Sequence, residues 1–244
     1  MQKENQSKKE IQTNETESPV VKKELAKELR KDTTSPKEKI YTGKEIVALY
    51  NSGRRDFSEI NASGADLKGI NLTDANLACA YLNGAKLLHA NLNGANLIGA
   101  DLTYANLMNA NLTYANLMNT NLEGANLWHS NLARANLAYA NLMNANLELA
   151  YLSYANLTGT NLNGANLTRA NLTGTDFKKA NLTRANLSGA NLTNANFTNT
   201  NLEGANLERA NLTGADLRGA KLERANLKGA KIRIGNVVQT IYIS

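Results

Sequence analysis

Few side chains in this 244-residue sequence could perform chemistry, and they are widely spaced. There are two histidines, His89 and His129, and one cysteine, Cys79. A transition-metal site needs three or four suitable ligands close together, and a single cysteine excludes an intrachain disulfide. The sequence contains no glycine-rich phosphate loop, no Ser–His–Asp context and no isolated carboxylate pair. We therefore expect no enzyme activity, catalytic residue, metal, cofactor or small-molecule substrate.

The elements that position these side chains repeat every five residues. Between 57 and 232, residue numbers ending in 2 or 7 are leucine, except at Phe57, Ala62, Phe177, Phe197 and Ile232. Alanine usually stands two residues before each leucine, and asparagine one residue before it. Five residues turn an α-helix by about 140° net, and a strand alternates its faces, so neither gathers the leucines on one side. The chain must turn a corner in each unit, which predicts a solenoid.

Tandem A-[N/D]-L-x-x units over residues 56–233, 36 of them without an insertion, resemble the pentapeptide repeat family. The resemblance implies an all-β solenoid, a right-handed quadrilateral parallel β-helix with four units per coil and the central Leu or Phe pointing inward. There would be about nine coils, roughly 43 Å long at the spacing of β-strands. In the stretch DLTYANLMNANLTYANLMNT at 101–120, we then expect Leu107, Leu112 and Leu117 to lie in the interior core. Phe177 and Phe197, twenty residues apart, should stack inside the rod.

The segments before the repeats differ from them in composition. Residues 1–40 are charged and poor in large apolar groups, which predicts a disordered tail. Residues 41–55 contain a capping box, Thr42 with Glu45, and an apolar face of Ile46, Leu49 and Tyr50. These features predict a short helix over 43–52 that covers the apolar end of the solenoid.

The last residues also leave the five-residue pattern. The β-branched side chains of 234–244 predict one or two closing strands that cap the rod, because an open coil end exposes unpaired backbone. Pairing with a second copy at this end is the alternative, so a homodimer is possible there.

Charge is unevenly distributed along the chain. Residues 1–55 hold 13 Lys/Arg and 9 Asp/Glu, whereas residues 56–244 hold 14 and 12, within a net charge of +6. A nearly neutral solenoid does not favour nucleic acid as a partner. The first ten residues have no apolar core of a secretory signal, and no apolar run is long enough to span a membrane. These observations predict a soluble, cytoplasmic protein.

With four units per coil, side chains twenty residues apart should stack in columns. His89 and His129 would then lie roughly 10 Å apart, too far to share one metal ion. Other columns are apolar or aromatic, and large exposed apolar patches tend to be contact surfaces. In one of them an arginine could stack between two tyrosine rings. The predicted partner surface consists of Leu88, Met108, Trp128, Ile98, Met118, Tyr114, Arg134 and Tyr154, although scattered outward Leu and Met are the simpler interpretation.

The sequence therefore predicts a non-enzymatic rod for protein–protein interaction or scaffolding, with another protein of unknown identity as its partner. The family resemblance implies an alternative, a DNA-mimic regulator or protector of DNA gyrase or another topoisomerase. The solenoid departs from such members because it carries more basic than acidic groups. Direct nucleic-acid binding by the basic end is opposed by interleaved acidic residues, Glu203, Glu208 and Glu223.

Overall fold

The computed structural model describes residues 38–234 and 237–240, and from residue 56 onward the chain forms stacked coils of twenty residues. Parallel β-bridges join residues twenty apart, such as Asp101 with Asn121 and Asn106 with Asn126. Each coil has four such bridging residues, one in each five-residue unit, so each coil has four sides. We number the sides from the coil at 101–120. Wall 1 contains Leu102, wall 2 Leu107, wall 3 Leu112 and wall 4 Leu117. Each wall also contains the equivalent residues of the other coils, which lie twenty, forty or more positions away in steps of twenty.

Each five-residue unit ends in a tight turn at a corner of the rod. In the unit of wall 1, the Ala105 N–H donates to the Leu102 carbonyl at 3.0 Å, and Tyr104 between them has a φ of 56°. The asparagine before each leucine supports the next turn, as where Asn106 Oδ1 accepts a hydrogen bond from the Met108 N–H at 3.2 Å. Asparagine commonly stabilises turns in this way. The unit of five is thus a short bridging segment followed by one turn.

The interior of the rod is filled by the leucine and alanine columns, which are buried except in the last coil, where Leu217, Leu222 and Leu227 are half-buried. Phe177 and Phe197 are fully buried on wall 4, and their rings stack with centroids 4.9 Å apart and planes 4° apart. Hydroxyl residues replace alanine at five buried positions, and each donates to a backbone carbonyl, as Thr120 Oγ1 does to Leu97 at 2.7 Å. No buried side-chain polar atom among the described residues is without a hydrogen-bond partner.

Helix α1, Gly43–Asn51, covers the first coil and ends one residue before the predicted limit. Its capping box is formed, with Thr42 at the N-cap and Glu45 bonded back to the Thr42 N–H at 2.7 Å. Leu49 is fully buried, and the Tyr50 hydroxyl donates to the Thr73 carbonyl at 3.0 Å.

Ordered structure also begins before the predicted helical segment. Ile40, which the sequence assigned to the tail, makes a parallel bridge with Asn61, so the assignment was wrong at that residue. The rest of the predicted tail up to residue 37 lies outside the described residues.

The other end of the described chain forms a small sheet of three strands, β1 Asn211–Leu212, β2 Lys231–Ile234 and β3 Val237–Thr240. Strand β2 pairs in parallel with β1, so it continues wall 3 by one more coil. Strand β3 pairs with β2 in the antiparallel direction and adds the final strand on that wall. The remaining parts of the predicted cap, residues 235–236 and 241–244, lie outside the described residues.

No helix in the described ranges is both long and apolar enough to cross a lipid bilayer.

Candidate binding surface

The eight residues predicted to form a partner surface lie on three separate parts of the rod. Walls 2 and 4 are opposite each other, since ten residues make half a coil. The remaining three residues occupy the corner between walls 3 and 4. The members are Leu88, Met108 and Trp128 on wall 2, Ile98 and Met118 on wall 4, and Tyr114, Arg134 and Tyr154 at the corner.

The side chains on the walls are less exposed than the sequence suggested. The five wall members of the predicted surface are half-buried, because neighbours in the same column stand about 4.8 Å above and below each of them. Among the described residues, the most exposed aromatic rings are instead tyrosines at the corners, including Tyr104 at 70% exposure and Tyr139 at 64%. Corner residues point away from the rod because the chain turns there.

The corner between walls 3 and 4 has the arrangement that the sequence predicted for it. The Arg134 guanidinium carbon lies 5.9 Å from the centre of the Tyr114 ring and 5.8 Å from that of Tyr154. Cation–π contacts at exposed sites stabilise by about 0.5–1 kcal/mol each. The guanidinium of Arg134 thus packs between tyrosine rings of the preceding and the following coil.

A second group of side chains meets at the corner between walls 2 and 3. The His129 ring lies 5.3 Å from the Trp128 ring, at 34°, and 5.4 Å from the Tyr151 ring, edge-on at 79°. His129 Nδ1 is 2.9 Å from Asn109 Oδ1, and the Tyr151 hydroxyl is 3.4 Å from His129 Nε2. We call Trp128, His129, Tyr151, Asn109 and Asn131 the aromatic corner.

An open groove runs along the aromatic corner. It is lined by His89, Asn109, Ala110, Asn111, His129, Asn131 and Tyr151. None of these is Asp, Glu, Lys or Arg, so the lining carries rings and side-chain amides but no permanent charge. The described part of the chain has no group of three His, Cys, Asp or Glu residues placed to hold a metal ion. The groove can offer stacking and hydrogen bonds.

Two carboxyl groups within the repeats that have a lowered pKa, Asp216 and Asp56, lie elsewhere and have structural roles. Hydrogen bonds from the Arg218 side chain hold the pKa of Asp216 at about 2. The Ser58 hydroxyl and N–H lower the pKa of Asp56 in the same way. These groups stabilise turns, and neither lines the groove.

Sequence reasoning did not place Tyr151 or Asn131 beside Trp128 and His129. Tyr151 stands where the repeat usually places asparagine, and that departure was the available signal. His129 was considered as a possible metal ligand, but its contact with Tyr151 joins residues 22 positions apart and depends on the coil length.

Comparisons with known proteins agree on the repeat. The family profile described as pentapeptide repeats matches with eight copies in all, and its six matched ranges are 56–87, 75–113, 90–128, 115–153, 150–189 and 190–229. A search of curated proteins finds no match.

Among solved structures, this chain is similar to HetL from the cyanobacterium Nostoc sp. strain PCC 7120, a pentapeptide repeat protein involved in heterocyst differentiation regulation. The identity is 36%, over 78% of this chain and 96% of HetL, with a TM-score of 0.49. Trypsin-treated QnrB1, a plasmid-mediated fluoroquinolone resistance protein, is 21% identical over 71% and 87%, with a TM-score of 0.40. A pentapeptide repeat protein of the Arabidopsis thaliana thylakoid lumen is 26% identical, over 52% of this chain and 68% of that protein, with a TM-score of 0.33.

Proposed function

The chain belongs to the pentapeptide repeat family, and we propose that it is a non-enzymatic interaction rod whose partner is another protein. The observation that carries the proposal is the apolar column of wall 2, Leu88, Met108 and Trp128. This column lies directly beside the aromatic corner, so apolar and aromatic groups are continuous across two walls. Tryptophan and tyrosine are enriched among the residues that dominate binding energy at protein interfaces.

Affinity capture with substituted baits tests the proposal. Trp128→Ser combined with Met108→Ser removes the centre of the wall 2 column. Ile98→Ser combined with Met118→Ser makes matched changes at half-buried positions of the opposite wall. We expect the wall 2 variant to lose a specifically captured protein and the wall 4 variant to retain it. Circular dichroism melts establish that both variants remain folded.

Two results would contradict the proposal. A folded wall 2 variant that captures the same proteins as the unsubstituted chain would show that the column makes no contact with a partner. Equal loss of capture in both variants would assign the effect to the rod in general. A bait without residues 1–37 determines whether the N-terminal segment contributes to capture.

We also propose the number and handedness of the coils and the bounds of the flanking segments. The repeats at 56–233 would form nine right-handed coils between a tail at 1–40, a capping segment at 41–55 and a closing segment at 234–244. In the last coil Leu217, Leu222 and Leu227 are only half-buried, which supports a homodimer through this end. Light scattering after gel filtration tests for a dimer, and imaging of a fluorescent fusion tests the proposed cytoplasmic location.

The alternative function, mimicry of DNA toward gyrase or another topoisomerase, is not favoured. Such mimicry requires a predominantly acidic surface, whereas residues 56–244 carry 14 basic and 12 acidic side chains. A gyrase supercoiling assay checks this directly. We expect no inhibition and no protection at micromolar protein.

A further inference from the structure

The lining of the groove at the aromatic corner contains no Asp, Glu, Lys or Arg but offers rings and amides, and we propose that the groove binds a short, uncharged glycan. The inference goes beyond the proposed protein contact, because it concerns a small hydroxyl-rich ligand in the groove beside wall 2. It does not require that a protein partner exists.

The charge of the lining determines the class of ligand. Phosphate and carboxylate groups are recognised most strongly by arginine, lysine or clustered backbone N–H donors. The seven lining residues include no lysine or arginine. They include no aspartate or glutamate that would favour a cation. An uncharged ligand is therefore the best match to the groove.

The aromatic rings provide the apolar part of the site. His129 and Tyr151 line the groove with ring centres 5.4 Å apart, and Trp128, which is not a lining residue, packs against His129 at 5.3 Å. Aromatic rings have broad apolar faces with a polar group at one edge. The C–H faces of a pyranose can pack on such rings while its hydroxyl groups point outward to hydrogen-bonding side chains.

The amide groups provide the polar part. In the contact between His129 Nδ1 and Asn109 Oδ1, 2.9 Å apart, the ring N–H donates, because an amide oxygen only accepts. Asn131 Oδ1 accepts the Ala133 N–H at 3.0 Å. The Nδ2 groups of Asn109 and Asn131 make no hydrogen bond to any residue in the described ranges. The groove thus presents free donors, and sugar hydroxyls accept as well as donate.

The length of the groove suits a chain of a few sugars. His89 and His129 occupy the same corner two coils apart, which corresponds to roughly 10 Å. The groove is open to solvent on one side, so a longer polysaccharide could pass along it.

The test uses the intrinsic fluorescence of Trp128, which is the only tryptophan in the chain. Purified full-length protein is titrated separately with maltohexaose, cellohexaose, laminarihexaose and chitohexaose, and with a heparin hexasaccharide as the charged comparison. We expect a saturable change in emission with at least one neutral hexasaccharide and none with heparin. Isothermal calorimetry on the same samples checks that the optical change is binding.

Matched variants locate the binding. Tyr151→Ala and Asn131→Ala should weaken it about tenfold or more, whereas Tyr139→Ala, an exposed tyrosine at another corner, should leave it unchanged. No saturable response to any neutral sugar, a preference for heparin, or equal weakening by Tyr139→Ala would each overturn the inference. If no sugar binds but the wall 2 column still captures a protein, the glycan inference is wrong and the proposed function stands. If a sugar binds but protein capture does not depend on the wall 2 column, the proposed function alone is wrong.

Discussion

At the scale of single residues, the rod depends on corner positions held in the left-handed backbone region. Leu149 and Arg169, for example, have φ values of 59° and 55° at the corner between walls 2 and 3. A side chain in this conformation costs about 1–2 kcal/mol, and glycine avoids that cost. At some corners a bulky residue in one coil lies over a glycine in the next coil. The Tyr139 ring covers Gly159 in this way, and a Cβ added to Gly159 would lie 2.7 Å from the ring.

Two alanine substitutions separate backbone strain from contact with the tyrosine ring. Gly84 and Gly159 both have a φ of 66°, but a Cβ on Gly84 would meet nothing within 4 Å. Gly84→Ala should cost about 1 kcal/mol of unfolding free energy through strain alone. Gly159→Ala should cost roughly 1 kcal/mol more, because the Tyr139 ring must move. Chemical denaturation measures both, and equal costs would show that the ring does not rest on the glycine.

At the scale of elements, helix α1 closes the apolar end of the first coil through a capping box that includes a carboxylate. Burial raises the pKa of Glu45, but hydrogen bonds from Thr42 and the charge of Lys39 outweigh it and hold that pKa below its ordinary value. The ionised carboxylate is therefore the form that the folded state prefers. Lys39 Nζ lies 3.5 Å from Glu45 Oε1.

The lowered pKa of Glu45 predicts how stability depends on pH. Because the folded pKa is depressed, the contribution of Glu45 is present above its unfolded pKa and is lost as pH falls through the folded pKa. Glu45→Gln should keep the hydrogen bond to the Thr42 N–H but remove this dependence. The difference in unfolding free energy between the two proteins should be larger at pH 7 than at pH 3. A constant difference over this range would contradict the prediction.

At the scale of the whole molecule, each coil contacts only its neighbours, so a residue's contribution depends on its place along the rod. Leu122 and Leu222 both belong to wall 1 and have the same place in the repeat. Leu122 is fully buried between coils, whereas Leu222 in the last coil is half-buried. The end of the described rod therefore has a weaker core than its middle.

This difference predicts unequal effects from the same substitution. Leu122→Ala should cost about 2–5 kcal/mol of unfolding free energy, as for a fully buried leucine. Leu222→Ala should cost less, because it removes fewer buried contacts and the surrounding chain can relax. Urea unfolding curves of the two variants provide the comparison. Equal costs would indicate that another surface covers the last coil in solution.

The spacing of residue types along the chain was enough to predict the five-residue period, the inward-pointing residues and the capping helix. Leu107 and Phe177 were predicted to be interior because an uninterrupted five-residue repeat places the same position of every unit on the buried side of the chain. The helix could be predicted because the capping box of Thr42 and Glu45 is a local signal within one helical turn. Exposure was harder to predict, since the half-burial of Met108 depends on the residues above and below it in the stack. Only the tertiary structure brought Trp128, His129 and Tyr151 together, because the length of the coil decides which distant residues become neighbours.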